Sequence, residues 1–128
     1  MNLGYRRTKR KRNAPRWAPN DWVDATMTML RRCGGRCWWC TKELNGRAAR
    51  HHRQRRRDGG DHLANVVLLH PECHNIYRES VHQNPEDAQS RGFIVPAWAD
   101  PLTYPIFAKN TWWLLDDEGG MTSTDPPS

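Results

Sequence analysis

Two short stretches, Cys37-Trp38-Trp39-Cys40 and His70-Pro71-Glu72-Cys73-His74-Asn75, decide how this chain folds. Each carries a pair of metal-ligating side chains with two residues between them. Structural zinc takes four tetrahedral ligands, and these come in such close pairs on tight turns. Cys37, Cys40, His70 and Cys73 are therefore the expected ligands of a structural Zn2+. Cys33 lies four residues before Cys37 and competes for one place. The tighter CxxC turn favours Cys37 and leaves Cys33 as a buried helix residue. The bland alternative is a set of buried apolar cysteines. Two independent pairs at ligand spacing argue against it.

Composition explains why a metal staple would be needed. The 128 residues make one domain. Leu, Ile, Val and Phe total 19 residues, about 15% of the chain, below the roughly 20% at which a highly charged chain is suspected of disorder. Seven Trp compensate in part, and a structural metal relieves a small core further. The net charge of +6 is unevenly spread. Residues 1–78 hold 18 Lys and Arg against 6 Asp and Glu, whereas residues 79–128 hold 2 against 8. A basic front and an acidic rear suit a binder of phosphate backbones. Ordinary solvated surfaces mix the two signs. No apolar run approaches the ~18 residues of a membrane span, and none resembles a secretory signal. The expectation is a protein of the reducing cytoplasm, where CxxC cysteines more often bind metal than form disulfides.

Outward from the two ligand pairs, the chain divides as follows. Residues 1–16 carry seven basic and no acidic residues and read as a flexible arm, with Lys9, Arg10, Lys11 and Arg12 as nucleic-acid contacts. A nuclear-localisation signal is the competing reading of those four. Residues 20–33 read as a helix capped by Asn20 or Asp21 and ended by Gly34-Gly35, with Trp22, Val23, Met27 and Leu30 as its core face. Residues 36–46 form the knuckle, 47–53 a strand, 54–61 a turn-rich loop, 66–69 a second strand and 71–81 a helix. Beyond Pro85 the prolines suggest an irregular extension wrapping the core over 85–115. Residues 116–128 read as a disordered acidic tail. The fold class is thus α+β: a β-hairpin and a helix stapled by zinc, an N-terminal helix, and an irregular C-terminal extension. The domain spans 17–115, with its core at about 33–82.

Between the two ligand pairs lie His51 and His52, then Gly59-Gly60, then Asn65 ahead of a Val-Val-Leu-Leu run, and His74 follows the second pair directly. This order resembles the HNH endonuclease family, with its ββα-metal fold, and in particular its small phage-encoded members. The resemblance covers about residues 33–82. It implies that His52 is the general base and that His51 and His74 are ligands of a catalytic divalent metal, Mg2+, Mn2+, Ni2+ or Zn2+. It also implies that Asn65 pins the loop carrying the base. His51 stands where the family often has Asp, which lowers the charge of the site and softens its metal preference. Some relatives carry a further histidine four residues beyond His74. Here that residue is Arg78, so two protein ligands are expected.

The chemistry is coherent on its own terms. Phosphodiester hydrolysis needs an activated water and a Lewis acid on the phosphate, and a neutral histidine is a suitable base near pH 7. Arg50, Arg53, Arg55, Arg56 and Arg57 surround the histidines in sequence. They suit bidentate contacts to phosphate, which carry no sequence information. His62 and His82 read as surface or core residues without a role. His51 and His52 would point to opposite faces of a strand, so a twist or a bulge is needed to bring both to one phosphate. The expected activity is metal-dependent DNA cleavage. The alternatives are a non-catalytic, zinc-stapled DNA-binding module and an RNase on the same fold. A phage-encoded member would act in the cytoplasm of a bacterial host, with the terminase and packaging proteins as partners.

Overall fold

The computed structural model describes residues 14–127. The contacts expected of Lys9, Arg10, Lys11 and Arg12, and most of the expected arm, lie outside the described residues. The architecture is α+β. Helix α1 (Pro19–Cys33) precedes a hairpin of β1 (Ala49–His52) and β2 (Val66–Leu69). The hairpin loop holds a single turn of helix, α2 (Arg56–Gly59), and a 3-10 turn at Leu63–Asn65. After β2 come a π turn at Glu72–Ile76, helix α3 (Pro85–Ser90) and strands β3 (Ile106–Ala108), β4 (Thr111–Leu115) and β5 (Met121–Thr124). β3, β4 and β5 form a second, antiparallel sheet in that order.

Helix α1 starts at Pro19, whose missing amide costs nothing in the first turn. The cap is neither Asn20 nor Asp21 by position: the helix begins after Ala18, and the Asp21 carboxylate reaches back to accept the Ala18 amide at 3.0 Å. Gly34 ends the helix in the left-handed region, φ 64°, and the Gly35 amide donates to the Leu30 carbonyl. The buried stripe is Ala25, Met29, Arg32 and Cys33, with Trp22 and Leu30 half-buried beside it. Val23 and Met27, expected in the core, are 62% and 52% exposed. Hydrophobicity misled here because the inward stripe uses a small residue and an arginine. The Arg32 guanidinium donates to the Leu63 and Val66 carbonyls at 2.8 and 2.6 Å and so straps α1 to the hairpin.

β1 and β2 pair antiparallel with His51 opposite Val67 and His52 opposite Val66. All four β2 residues are buried, so the strand is covered on both faces. The loop between the strands closes on Asn65. Its side-chain amide donates to the Gln54 and Gly60 carbonyls, and its oxygen accepts the Gln54 amide at 2.7 Å. Glycine at 59 is a packing requirement, since a Cβ there would lie 2.6 Å from Asn65 Nδ2. At Gly60, φ is 62° and the backbone of Ala14 crosses within 2.7 Å of where a Cβ would be. The glycine pair thus lets the incoming chain and the Asn65 amide share one loop.

Two other expectations are corrected. Residues 71–81 hold only the π turn. After it the chain folds back, with the Val81 amide on the Cys73 carbonyl and the His82 amide on the His74 carbonyl. The C-terminal region is also more regular than its prolines suggest. Residues 116–128 were expected to be disordered, yet β5 pairs with β4 along its whole length. Asp116 organises the connecting turn by accepting the Glu118 and Gly120 amides, and Asp117 accepts the Ala64 amide. The acidic residues therefore act as turn acceptors.

The expectation for Arg53 is likewise corrected: it is 2% exposed, and its guanidinium is taken up by the protein interior. Its guanidinium donates to the carbonyls of Gly92, Ala64, Pro101 and Tyr104 at 2.9, 2.9, 3.3 and 2.6 Å. Burial lowers its pKa to about 9, and the four acceptors take the place of water around the charge. None of the described helices is long and apolar enough to cross a membrane. Replacing Arg53 with Met keeps much of its volume but leaves four carbonyls without a donor. Since each buried unsatisfied group costs about 1–3 kcal/mol, urea denaturation should show a loss of several kcal/mol or outright failure to fold.

Candidate metal centres and cleft

Cys37, Cys40, His70 and Cys73 converge. One donor atom from each lies within 4.8 Å of the others, and together they form a Cys3His group positioned to bind a metal ion. His70 Nδ1 is 3.3 Å from Cys40 Sγ and 3.8 Å from Cys73 Sγ. A tetrahedral zinc with bonds of about 2.0 and 2.3 Å to N and S would put such atoms about 3.6 Å apart. His70 Nε2 donates to the Glu43 carbonyl at 2.7 Å, which fixes the tautomer that leaves the Nδ1 lone pair facing the thiols. The His70 amide in turn donates to Cys37 Sγ. Burial, and then mutual crowding of the thiols, pushes Cys73 up, and burial pushes Cys37 up. A divalent cation at the centre reverses that balance. Cys33 is not in the group. It is buried in α1, with its thiol on the Leu30 carbonyl.

A second group lies across the hairpin. His51, His74 and His82 each bring one ring nitrogen within 4.8 Å of the other two. His74 Nε2 and His82 Nε2 are 3.0 Å apart, close to the spacing of adjacent ligands about 2.1 Å from an octahedral ion. His51 is fully buried, and its Nε2 donates to the Phe93 carbonyl at 2.6 Å. Its Nδ1 is also buried and has no hydrogen-bond partner among the described residues. Buried polar atoms are rarely left orphaned, and a missing ion is one recognised reason. His82 is the third member that sequence reasoning missed. Arg78, four residues beyond His74, is exposed and outside the group. An i, i+4 search assumes a continuous helix, whereas here the chain reverses after the π turn and returns His82 against His74. The only local signal was the histidine itself.

His52 is on the other face of β1, as alternation requires, and is not in the three-histidine group. Its Nε2 is 2.8 Å from Asp61 Oδ1, and its ring stands edge-on to Trp22 at 6.2 Å. Burial works to raise the Asp61 carboxyl, but hydrogen bonds from Arg56, His52 and the Trp17 amide outweigh it and hold the pKa down at about 2. Both faces of the strand still open onto one cleft of about 740 Å3, lined by His51, His52, His74 and His82 and bordered by Arg50, Arg55 and Arg57. Asn65 sits beneath, in the loop core.

The arginines separate by role. Arg50, Arg55 and Arg57 are exposed at the cleft, Arg50 with its guanidinium 4.0 Å over the Trp22 ring. Arg56 is turned away and forms a bidentate pair with Asp61 at 2.8 and 2.6 Å. Arg53 is the buried clamp described above. The exposed arginines give the cleft a positive rim around a cluster of histidine ring nitrogens. Comparison of the chain with protein-family models, with curated proteins and with solved structures found no match.

Burial, opposed by the Phe93 hydrogen bond and reinforced by the charges of His74, His82 and Arg53, lowers His51 to about 3. An unfolded histidine titrates near 6.5. The unfolded chain therefore binds the extra proton first, and the stability that depends on neutral His51 is present above about pH 6.5 and lost as pH falls towards 3. Without added divalent ions, the stability of wild type relative to His51→Asn should fall by about 1.4 kcal/mol per pH unit between pH 6 and 4. Urea titrations of the two proteins at matched pH measure it.

Proposed function

We propose that this protein is a metal-dependent endonuclease of the HNH type that hydrolyses phosphodiester bonds in DNA. The observation that carries this reading is His51, whose buried Nδ1 has no hydrogen-bond partner among the described residues and whose ring groups with His74 and His82 in an arginine-rimmed cleft that His52 also lines. A mere binding module would have no use for an orphaned ligand nitrogen there. Three neutral nitrogens fit Mn2+, Ni2+ or Zn2+ better than Mg2+, which prefers oxygen. An ion held by His51, His74 and His82 supplies Lewis-acid stabilisation of the phosphate.

The remaining chemistry belongs to side chains of the chain. Arg50, Arg55 and Arg57 bind and orient the phosphate backbone. His52, with Nε2–H given to Asp61, uses its Nδ1 lone pair to take the proton of the attacking water. The new O–P bond forms as the P–O3′ bond breaks, and the leaving oxygen takes a proton from solvent. Asn65 and the glycine pair hold the loop rigid behind the base. The Cys3His group binds a structural zinc that joins the knuckle to the end of β2. DNA is the favoured substrate because the basic rim suits any phosphate backbone and the resemblance in sequence is to DNA-cutting enzymes.

Nicking of supercoiled plasmid, run with Mg2+, Mn2+, Ni2+ and Zn2+ and in parallel with single-stranded and structured RNA, tests the reading. His52→Ala should lower cleavage by roughly 10²–10⁴-fold while divalent-ion binding by calorimetry is kept. His82→Ala and His74→Ala should both weaken that binding, with excess metal restoring part of the activity. Loss of metal affinity in His52→Ala alone, or full activity in all three, overturns the reading.

The zinc is tested separately. Protein purified without chelator should hold one tightly bound zinc, and Cys73→Ser should lose it together with cooperative unfolding. A folded Cys73→Ser protein with unchanged metal content would exclude the assignment.

A further inference from the structure

Asp61 is fully buried beside the cleft and lies outside both metal-competent groups. Four donors converge on its carboxylate. Oδ1 takes His52 Nε2 and Arg56 Nε, both at 2.8 Å. Oδ2 takes an Arg56 terminal nitrogen and the Trp17 amide, both at 2.6 Å. The Asp61 amide also donates to the Pro15 carbonyl at 2.7 Å. Segment 14–17, which leads in from the basic N-terminal residues, is thereby fastened on both sides of Asp61, with Gly60 providing the space.

We propose that Asp61 is the positioning residue for His52, holding its ring as the Nε2–H tautomer with the lone pair on Nδ1, and that segment 14–17 is part of the site because it locks the carboxylate in place. The proposal rests on the nuclease reading only for its effect on rate.

The donor pattern carries it. A carboxylate accepts at both oxygens, and all four partners give protons. Arg56 and the Trp17 amide can only donate. His52 alone can exchange the roles of its two nitrogens. An amide in place of the carboxylate must put its NH2 on one side. Against Oδ2's partners it would meet the backbone amide of Trp17, a fixed donor that cannot reverse its role, as well as Arg56. Against Oδ1's partners it meets Arg56 Nε, on a half-exposed side chain that can swing away, and His52, which can answer by moving its proton. Asp61→Asn therefore drives His52 to the Nδ1–H tautomer and removes the lone pair that the base needs. A residue that merely braced the loop would not change the tautomer, because Asn is nearly isosteric.

The test is nitrogen-15 NMR of the zinc-loaded full chain with labelled histidine, beside plasmid nicking. In wild type, His52, assigned by its loss in His52→Ala, should be protonated on Nε2. In Asp61→Asn it should be protonated on Nδ1, with kcat lowered about 10²-fold or more, and with KM, divalent-ion affinity and zinc content retained. Removal of residues 1–17 should lower kcat as well as affinity, whereas removal of residues 1–13, which spares Pro15 and Trp17, should lower affinity alone. Nδ1–H in wild type overturns the proposal even if the variant does not fold. An unchanged tautomer or unchanged kcat in folded Asp61→Asn also overturns it. If no form of the protein cuts DNA but the tautomer switches as stated, the positioning role stands and the nuclease reading fails.

Discussion

The Arg53 guanidinium lies enclosed at the end of β1 and gives its protons to carbonyls from the hairpin loop and from three points of the C-terminal segment. A buried charge is tolerable only when it is surrounded by acceptors in this way. Once those contacts are made, the position of the C-terminal segment is set, including Gly92 and its neighbour Phe93. The Phe93 carbonyl then takes His51 Nε2–H and leaves the lone pair on the buried Nδ1 of a ring that packs against His74 and His82. The segment beyond residue 82, which adds no member to either cluster among the described residues, thus sets the tautomer of the buried His51.

The π turn at Glu72–Ile76 divides one short segment between two jobs. Cys73 faces the cysteine cluster and His74, the next residue, faces the histidine cluster. Neighbours on a helical turn point about 100° apart, enough to send two successive side chains to different clusters. A π turn is uncommon and tends to sit at functional places. It also ends the helix early, which allows the chain to return His82 to His74. The structural staple and the proposed reaction centre are therefore linked through adjacent residues, so disruption of the former would reach the latter.

Several residue types that looked alike in sequence have different roles here. Of five arginines between 50 and 57, three are exposed at the cleft, one holds Asp61 and one is a buried core clamp. Charge density identified the region as basic. It could not separate a phosphate contact from a buried strap, because that depends on where carbonyls from residues 92–104 come to rest. The exposed Val23 and Met27 show the same limit in reverse, since the inward face of α1 is occupied by Arg32, whose partners are the loop and strand carbonyls.

The ligand pairs at 37/40 and 70/73, the hairpin between them, the helix ended by Gly34 and the pinning position of Asn65 were all legible in the chain. The first three rest on local rules: ligand spacing on tight turns, a short apolar run bounded by turn residues, and glycine at a left-handed cap; the position of Asn65 came from the family resemblance. The third histidine of the cleft, the Asp61 partner of His52, the burial of Arg53 and the ordered sheet at 106–124 were decided only by the tertiary structure. All four depend on segments far apart in sequence meeting, or on a chain reversal with no periodic signature. They are set by the need to satisfy buried polar groups, a condition met by the whole fold at once.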